Sequence, residues 1–276
     1  MEYSDLIAGM LHFGANSKDI FYNCMGVDEN VIGETVIVSP GWTPQTLSGL
    51  GTFKPIVNSS PLFGYQVWNV SHDDLTMTFI KTGFGAPAVM DAVLLLGLSK
   101  CKRLFFVSSV GALKKDIGIG DLVIPKYSVS GDGASRYISS NSFKNDVFGQ
   151  KNNPDNALFE KLKIETAKIC DSQMVNWHIG MPFCTDTIFA QYPYIDDIID
   201  MGCDTIDMES AAAFKTAEII GVPIVALLNV SDNTVQDQSL MSASTDEIKE
   251  YRKFVRGEVM PQIIHRLILK DKGSKV

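Results

Sequence analysis

Residues 205–232, TIDMESAAAFKTAEIIGVPIVALLNVSD, read as strand end, helix, tight turn and strand, with an acid at each strand's exit. Ser210–Ile220 is alanine-rich and favours helix, and Glu209 at its start suits the positive end of a helix dipole. Gly221 and Pro223 stop the helix, because glycine tolerates the turn and proline cannot continue it. Ile224–Leu228 is a continuous apolar run, as expected of a parallel strand covered on both faces. A helical crossover of this length predicts that the two flanking strands run parallel and end on one edge of the sheet. Glu209 and Asp232 are then expected on one rim, where open α/β sheets place ligands. On pattern alone the bland alternatives stay open: a helix-start charge for Glu209 and a turn cap for Asp232.

Upstream, RLFFVSSVGALKKDIGIGDLVIPKYSVS (103–130) predicts strands near Arg103–Ser108 and Asp121–Ser130, with Ser108 and Ser109 at the same rim. ETVIVSPGWTPQTL (34–47) predicts a strand at Glu34–Ser39, then a Pro-Gly turn entering a helix at Thr43. Such a turn leaves backbone N–H groups around Gly41 free for an anion, a common feature. Thr82-Gly83-Phe84-Gly85 lacks the GxGxxG spacing of a dinucleotide fingerprint, and no GxxxxGK occurs. Downstream, Asn156–Cys170 predicts an amphipathic helix and Trp177–Cys184 a strand leading into TDTIFAQYPYI. The aromatics of that segment, Phe189, Tyr192 and Tyr194, either line a base pocket or pack. The polar stretch 141–156 is a connector or a flap, Ala243–Leu269 is a helical cap, and 270–276 is a tail. Strands alternating with helices predict one three-layer αβα domain over 1–276, with a central mixed, twisted sheet.

Bulk properties narrow the function. A net charge of −8 with no basic block argues against a nucleic-acid surface. The first residues lack the pattern of a signal peptide, and apolar runs such as AVLLLGL are too short to span a bilayer. Five scattered cysteines read as free thiols in a reducing compartment, so a cytoplasmic protein is expected. Without CxxC or HExxH spacing, neither a metal nor a cofactor is expected.

DTIDMESAAAF followed by LLNVSDN, together with TGFGAP and SSVGALKKDIGIGDLVIP, resembles the nucleoside phosphorylase family. The resemblance runs from about His12 to Asn233. It is to the branch holding bacterial purine nucleoside phosphorylase, uridine phosphorylase and methylthioadenosine/adenosylhomocysteine nucleosidase. It implies cleavage of the N-glycosidic bond of a nucleoside, giving free base and, with phosphate as co-substrate, ribose 1-phosphate. Ser231-Asp232 leans towards the purine-acting members. The resemblance also implies roles. Glu209 would accept hydrogen bonds from ribose hydroxyls, and Met208 would pack under the sugar. Asp232 would protonate N7 of the departing purine, with Ser231 beside it. Thr187, Ile188 and Phe189 would wall the base pocket. Gly41, Thr82 and Ser109 would face the attacking phosphate or water. His12, in an N-terminal segment (1–30) at a subunit interface, would reach a neighbour's ribose 5′-hydroxyl, which implies a homo-oligomer built from dimers, up to a hexamer.

The chain departs from that pattern where the nucleophile sits. Phosphorylases of this branch clamp phosphate with arginines, and PGWTPQTL, Phe106 and Asn58–Gly64 carry none at the corresponding places. Each missing Arg–phosphate pair removes roughly 1.5–3 kcal/mol. The nucleosidases position water with a glutamate in a GAMEEE-like stretch, which is absent here too. An arginine on the helix after Asp232 is also expected, and none lies between Asp232 and Tyr251. Three readings follow: phosphorolysis with phosphate held in an altered way, hydrolysis by water in a pocket that Phe106 and Trp42 make less polar, and a nucleoside-binding protein without turnover.

Overall fold

The computed structural model describes residues 1–16, 19–56, 62–139 and 144–273. Its strands in chain order are β1 (Thr35–Ser39), β2 (Thr52–Ile56), β3 (Gln66–His72), β4 (Leu75–Lys81), β5 (Arg103–Ala112) and β6 (Leu122–Pro125). They continue with β7 (Ser128–Ser130), β8 (Lys151–Asn152), β9 (Trp177–Gly180), β10 (Pro182–Cys184), β11 (Thr205–Asp207) and β12 (Ile224–Asn233). The helices are α1 (Tyr3–His12), α2 (Ile20–Met25), α3 (Ala86–Leu96), α4 (Arg136–Ser139) and α5 (Asn156–Gln173). After them come α6 (Ile188–Gln191), α7 (Ile195–Asp200), α8 (Ser210–Ile220), α9 (Asp246–Phe254) and α10 (Met260–Gly273).

All these strands join one mixed sheet, ordered β2-β3-β4-β1-β5-β11-β10-β7-β8, with β12, β6 and β9 branching from β5. The central strands are apolar over most of their length because both faces are covered. In β12, Ile224, Ala226, Leu228 and Val230 pack into one core with Phe214 and Ala217 of α8 and Val89 and Val93 of α3. Val225 and Leu227 point the other way, into a core with Leu158 and Leu162 of α5 and Ile263 and Leu267 of α10. The period of two along the strand assigns alternate side chains to the two helical layers. This is the expected αβα arrangement.

β5 is the hub. Along one edge, β12 runs parallel to it from Leu104 to Ala112. On the other edge, β1 runs parallel to Arg103–Phe106, and β11 pairs antiparallel with Gly111 and Ala112. Between those two partners, among the described residues, the Val107–Val110 edge carries no strand. That gap is the floor of the cleft described below.

Two strand expectations are corrected. β11 and β12 run in opposite directions, because β5 lies between them and the parallel-crossover rule applies to strands laid side by side. The strands expected at 121–130 and 177–184 are each broken in two. β6 pairs with β9, whereas β7 pairs with β10, so both chains turn a corner together at Pro125 and Gly180. Proline removes a ladder donor, which suits Pro125 to the strand end. The helix expected from Thr43 is a run of 3-10 turns over Pro44–Leu50. The C-terminal cap is α9 and α10 joined by a π-helical turn, Val255–Val259.

Among the described residues, the five cysteines are free and no helix is long and apolar enough to cross a membrane. The stretch 141–156, the segment 58–64 and the tail 270–276 lie partly outside the described residues.

Candidate active site

The two strands that lead to the acids bracketing α8 converge on one glycine, Gly111. β12 carries a bulge: Val230 pairs with Val110, but Asp232 pairs with Gly111, leaving Ser231 as the extra residue. A bulge re-aims the side chains around it. On the opposite edge of β5, Ile206 of β11 also pairs with Gly111, and the chain leaves β11 through Asp207 and Met208 to Glu209. Gly111 makes room for both approaches. A Cβ there would lie 3.1 Å from Asp232 Oδ2 and 3.1 Å from Ile206 Cγ2. Glu209 and Asp232 thus face one cleft of about 490 Å³, reached by antiparallel passage of a shared point rather than by parallel exits. Ser108, Ser109 and Val110 of the open edge of β5, and Gly111 next to them, line the same cleft.

Burial sets the electrostatics. Glu209 is held by the Gly85 N–H, which donates to Oε1 at 2.7 Å. Asp207 caps α8 by accepting the Ser210 N–H at 3.1 Å. Burial raises the pKa of both carboxyls well above the usual carboxylate range, and the Asp207 charge beside Glu209 adds to its rise. Asp232 is raised too, first by burial, while the Ser231 hydroxyl donating to Oδ1 and the Arg252 guanidinium pull the other way. Asp207 Oδ1 and Gln191 Oε1, both on cleft residues, are buried polar atoms without a hydrogen-bond partner among the described residues. Such atoms are costly unless a ligand or water meets them.

The residues expected in the site divide into two groups. Asp232, Ser231, Glu209, Met208, Ile188 and Ser109 all line the cleft. Thr187, Phe189, Gly41, Thr82 and His12 do not. Thr187 is spent as the N-cap of α6, its Oγ1 accepting the Ala190 N–H. Phe189, one residue beyond Ile188 on that short helix, is 80% exposed and points to solvent. Gly41 lies under the Phe84 ring, where a Cβ would come within 2.5 Å of it, so Phe84 rather than Gly41 presents the cleft wall. The Thr82 hydroxyl is turned to the Gly83 carbonyl at 2.9 Å. His12 ends the exposed helix α1, against Phe13.

Arg252 lines the cleft and was not foreseen. It stands one residue beyond the interval in which an arginine after Asp232 is expected, on α9. Gly120, at φ +96, seats that helix: a Cβ there would strike the Tyr251 ring at 2.4 Å. The GIGD motif held this signal, but only the docking of α9 reveals it.

Comparison with known proteins bears on the whole cleft. The model of the phosphorylase superfamily matches residues 60–256, which include every cleft residue named above. The chain belongs to the phosphorylase superfamily. It is 27% identical over 191 residues to a guanosine phosphorylase of Halorubrum lacusprofundi, covering 68% of this chain and 74% of that protein. It is 26% identical over 186 residues to a DeoD-type purine nucleoside phosphorylase of Mycoplasma genitalium, covering 65% and 73%. The structure of purine nucleoside phosphorylase from Toxoplasma gondii in complex with immucillin-H superposes with a TM-score of 0.71 at 16% identity, covering 91% of this chain and 96% of that one. At that identity the likeness is one of fold. The expectation that Phe106 and Trp42 make the pocket less polar is corrected: Phe106 is wholly buried in the core beneath α3 and α8, so it is no wall of the cleft. Trp42 packs on the opposite core, with the Arg256 guanidinium 5.8 Å from its ring centroid.

Proposed function

We propose that the chain cleaves the N-glycosidic bond of a purine nucleoside, with Glu209 holding the ribose and Asp232 delivering a proton to N7 of the base. The observation that carries this reading is that two buried carboxyls line one cleft, Asp232 from β12 on one side of β5 and Glu209 from the exit of β11 on the other. Breaking the bond from the sugar carbon to the base leaves positive charge on the sugar and an electron pair on the purine. A carboxylic acid at N7 neutralises the departing base as that pair arrives. The raised pKa of Asp232 favours the protonated form that this step needs. Glu209, once ionised, gains attraction as positive charge develops on the sugar, so its hold strengthens in the transition state. Ile188 and Met208 supply apolar walls for base and sugar, and Gln191 offers an unpaired amide oxygen to a base-edge donor. Ser109 faces the nucleophile. His12 belongs, on this reading, to the site of a second copy of the chain.

Phosphate is the nucleophile we favour, with ribose 1-phosphate as product. The absence of an arginine at Phe106 and Trp42 supports a second reading, hydrolysis by water. Base release from inosine, adenosine and uridine, with and without phosphate, tests both. Purine release that rises at least tenfold with phosphate is expected, with little from uridine. Equal release without phosphate would move the assignment to a hydrolase, and nucleoside binding without any base release would end the catalytic reading.

A further inference from the structure

Arg252 and Arg256 are an oddity in an acidic chain. They lie one turn apart, Arg252 on α9 and Arg256 in the π-helical turn that follows, and the Arg256 Nε–H donates to the Arg252 carbonyl at 3.1 Å. Both are half-buried. Arg252 lines the cleft, and its Nε–H donates to a neutral amide, Asn229 Oδ1, at 3.4 Å. Arg256 lies against Trp42, just beyond the exit of β1. Arg252 thus touches β12 and Arg256 the residue beyond β1, the strands that flank β5. Among the described residues, neither guanidinium forms an ion pair with a carboxylate. Arg103 shows the usual arrangement for a buried arginine in this chain, with Asp271 at 2.9 Å. Burial and the neighbouring Arg256 charge push Arg252 down to about 10, while Asp232 is the one acid close enough to oppose this. Two neighbouring half-buried cations that form no ion pair are stabilised when an anion joins them.

We propose that Arg252 and Arg256 together form a phosphoryl-oxyanion site at the cleft rim, supplied by the C-terminal helix in place of arginines on the β1 and β5 exits. Guanidinium suits this ligand, since its planar fork donates in pairs to phosphoryl oxygens, and with the Arg256 Nε–H on the Arg252 carbonyl the two terminal NH2 groups of Arg256 are the donors it offers. The oxyanion is either free phosphate or the phosphate group of a nucleotide substrate. The inference rests on the cleft being a nucleoside site.

The test is calorimetric titration of the full chain with inorganic phosphate, with a purine nucleoside 5′-monophosphate, and with the unphosphorylated nucleoside. The variants are Arg252→Gln, Arg256→Gln, the double variant, and Lys253→Gln as a control from the solvent face of α9. Removing either guanidinium is expected to weaken binding of the phosphoryl ligand by about tenfold or more. This weakening should exceed that for unphosphorylated nucleoside by at least about tenfold, with Lys253→Gln unaffected. Weakening seen with inorganic phosphate identifies the free anion as the ligand, and weakening confined to the monophosphate identifies the substrate's own phosphate. Phosphate and monophosphate affinities that survive in the folded double variant would overturn the proposal, even if nucleosides are cleaved. Arginine-dependent phosphate binding by a chain that neither binds nor cleaves nucleosides would sustain the oxyanion site and overturn the nucleoside reading instead.

Discussion

Asp232→Ala is expected to lower the rate of base release by about 10²–10⁴-fold while leaving nucleoside affinity within a few-fold, because a positioned general acid contributes mainly to the transition state. The side chain is well placed for this. It follows the bulge at Ser231, lies beside Gly111, and is kept from solvent by the cleft. Its carboxyl needs a raised pKa to hold a proton at neutral pH, and burial outweighs the Ser231 and Arg252 contributions that oppose the rise. Asp232→Asn separates two roles: the amide can still donate a hydrogen bond to N7 but cannot transfer a proton. Single-turnover base release and equilibrium binding, measured on both variants, check the split. If Asp232→Ala turns over at the wild-type rate, the assignment of a purine base to this end of the cleft fails.

Glu209→Ala should impair both binding and turnover. Each ribose hydroxyl bonded to an ionised carboxylate contributes roughly 1.5–3 kcal/mol, so losing two such bonds lowers kcat/KM by about 10²–10⁴-fold. Alanine also leaves the Gly85 N–H without its partner. Glu209→Gln isolates the charge, since its amide oxygen can still accept from Gly85. Stability gives an independent readout. Burial and the Asp207 charge raise the Glu209 pKa in the folded chain, so the folded state binds this proton more tightly than the unfolded state. That preference destabilises the fold progressively as pH rises from the ordinary glutamate value of about 4.3 through the raised value. Glu209→Gln removes the effect. Its Tm advantage over wild type is therefore expected to grow between pH 5 and pH 8, by on the order of 3 °C for about 1 kcal/mol in a chain of this size. A variant that is more stable at pH 8 yet loses activity is what a ribose ligand predicts. Equal Tm differences at both pH values would argue against a buried, proton-binding Glu209.

Much of this site was readable from local chemistry. Alanine-rich Ser210–Ile220, the stop at Gly221, and the apolar run after Pro223 specify helix and strand within a few residues of their places, because propensity and covering act locally. The acids at 209 and 232 follow from the same stretch. The direction of β11 was not readable, since three residues carry no record of which strand they will pair with. Nor was the bulge at Ser231, which exists only relative to the register of β5. Thr187, Ile188 and Phe189 form one motif in sequence, yet the first turn of α6 sends Ile188 into the cleft, Phe189 to solvent, and the Thr187 hydroxyl to its own helix. Arg252 enters the site because α9 docks on Gly120, more than a hundred positions earlier in the chain. Local pattern predicts which residues carry chemistry well; which of them share a cavity is decided by pairings distant in sequence.

The central claim is that one cleft binds a purine nucleoside with its ribose at Glu209 and its base at Asp232. The most direct measurement is a crystal structure of the chain with a purine nucleoside analogue whose bond between sugar and base cannot be broken. The account predicts the ribose 2′- and 3′-hydroxyls on the Glu209 carboxyl, purine N7 within hydrogen-bond distance of Asp232, and the sugar carbon facing Ser109. A ligand seated with its base at Glu209, or bound outside the cleft altogether, would contradict it.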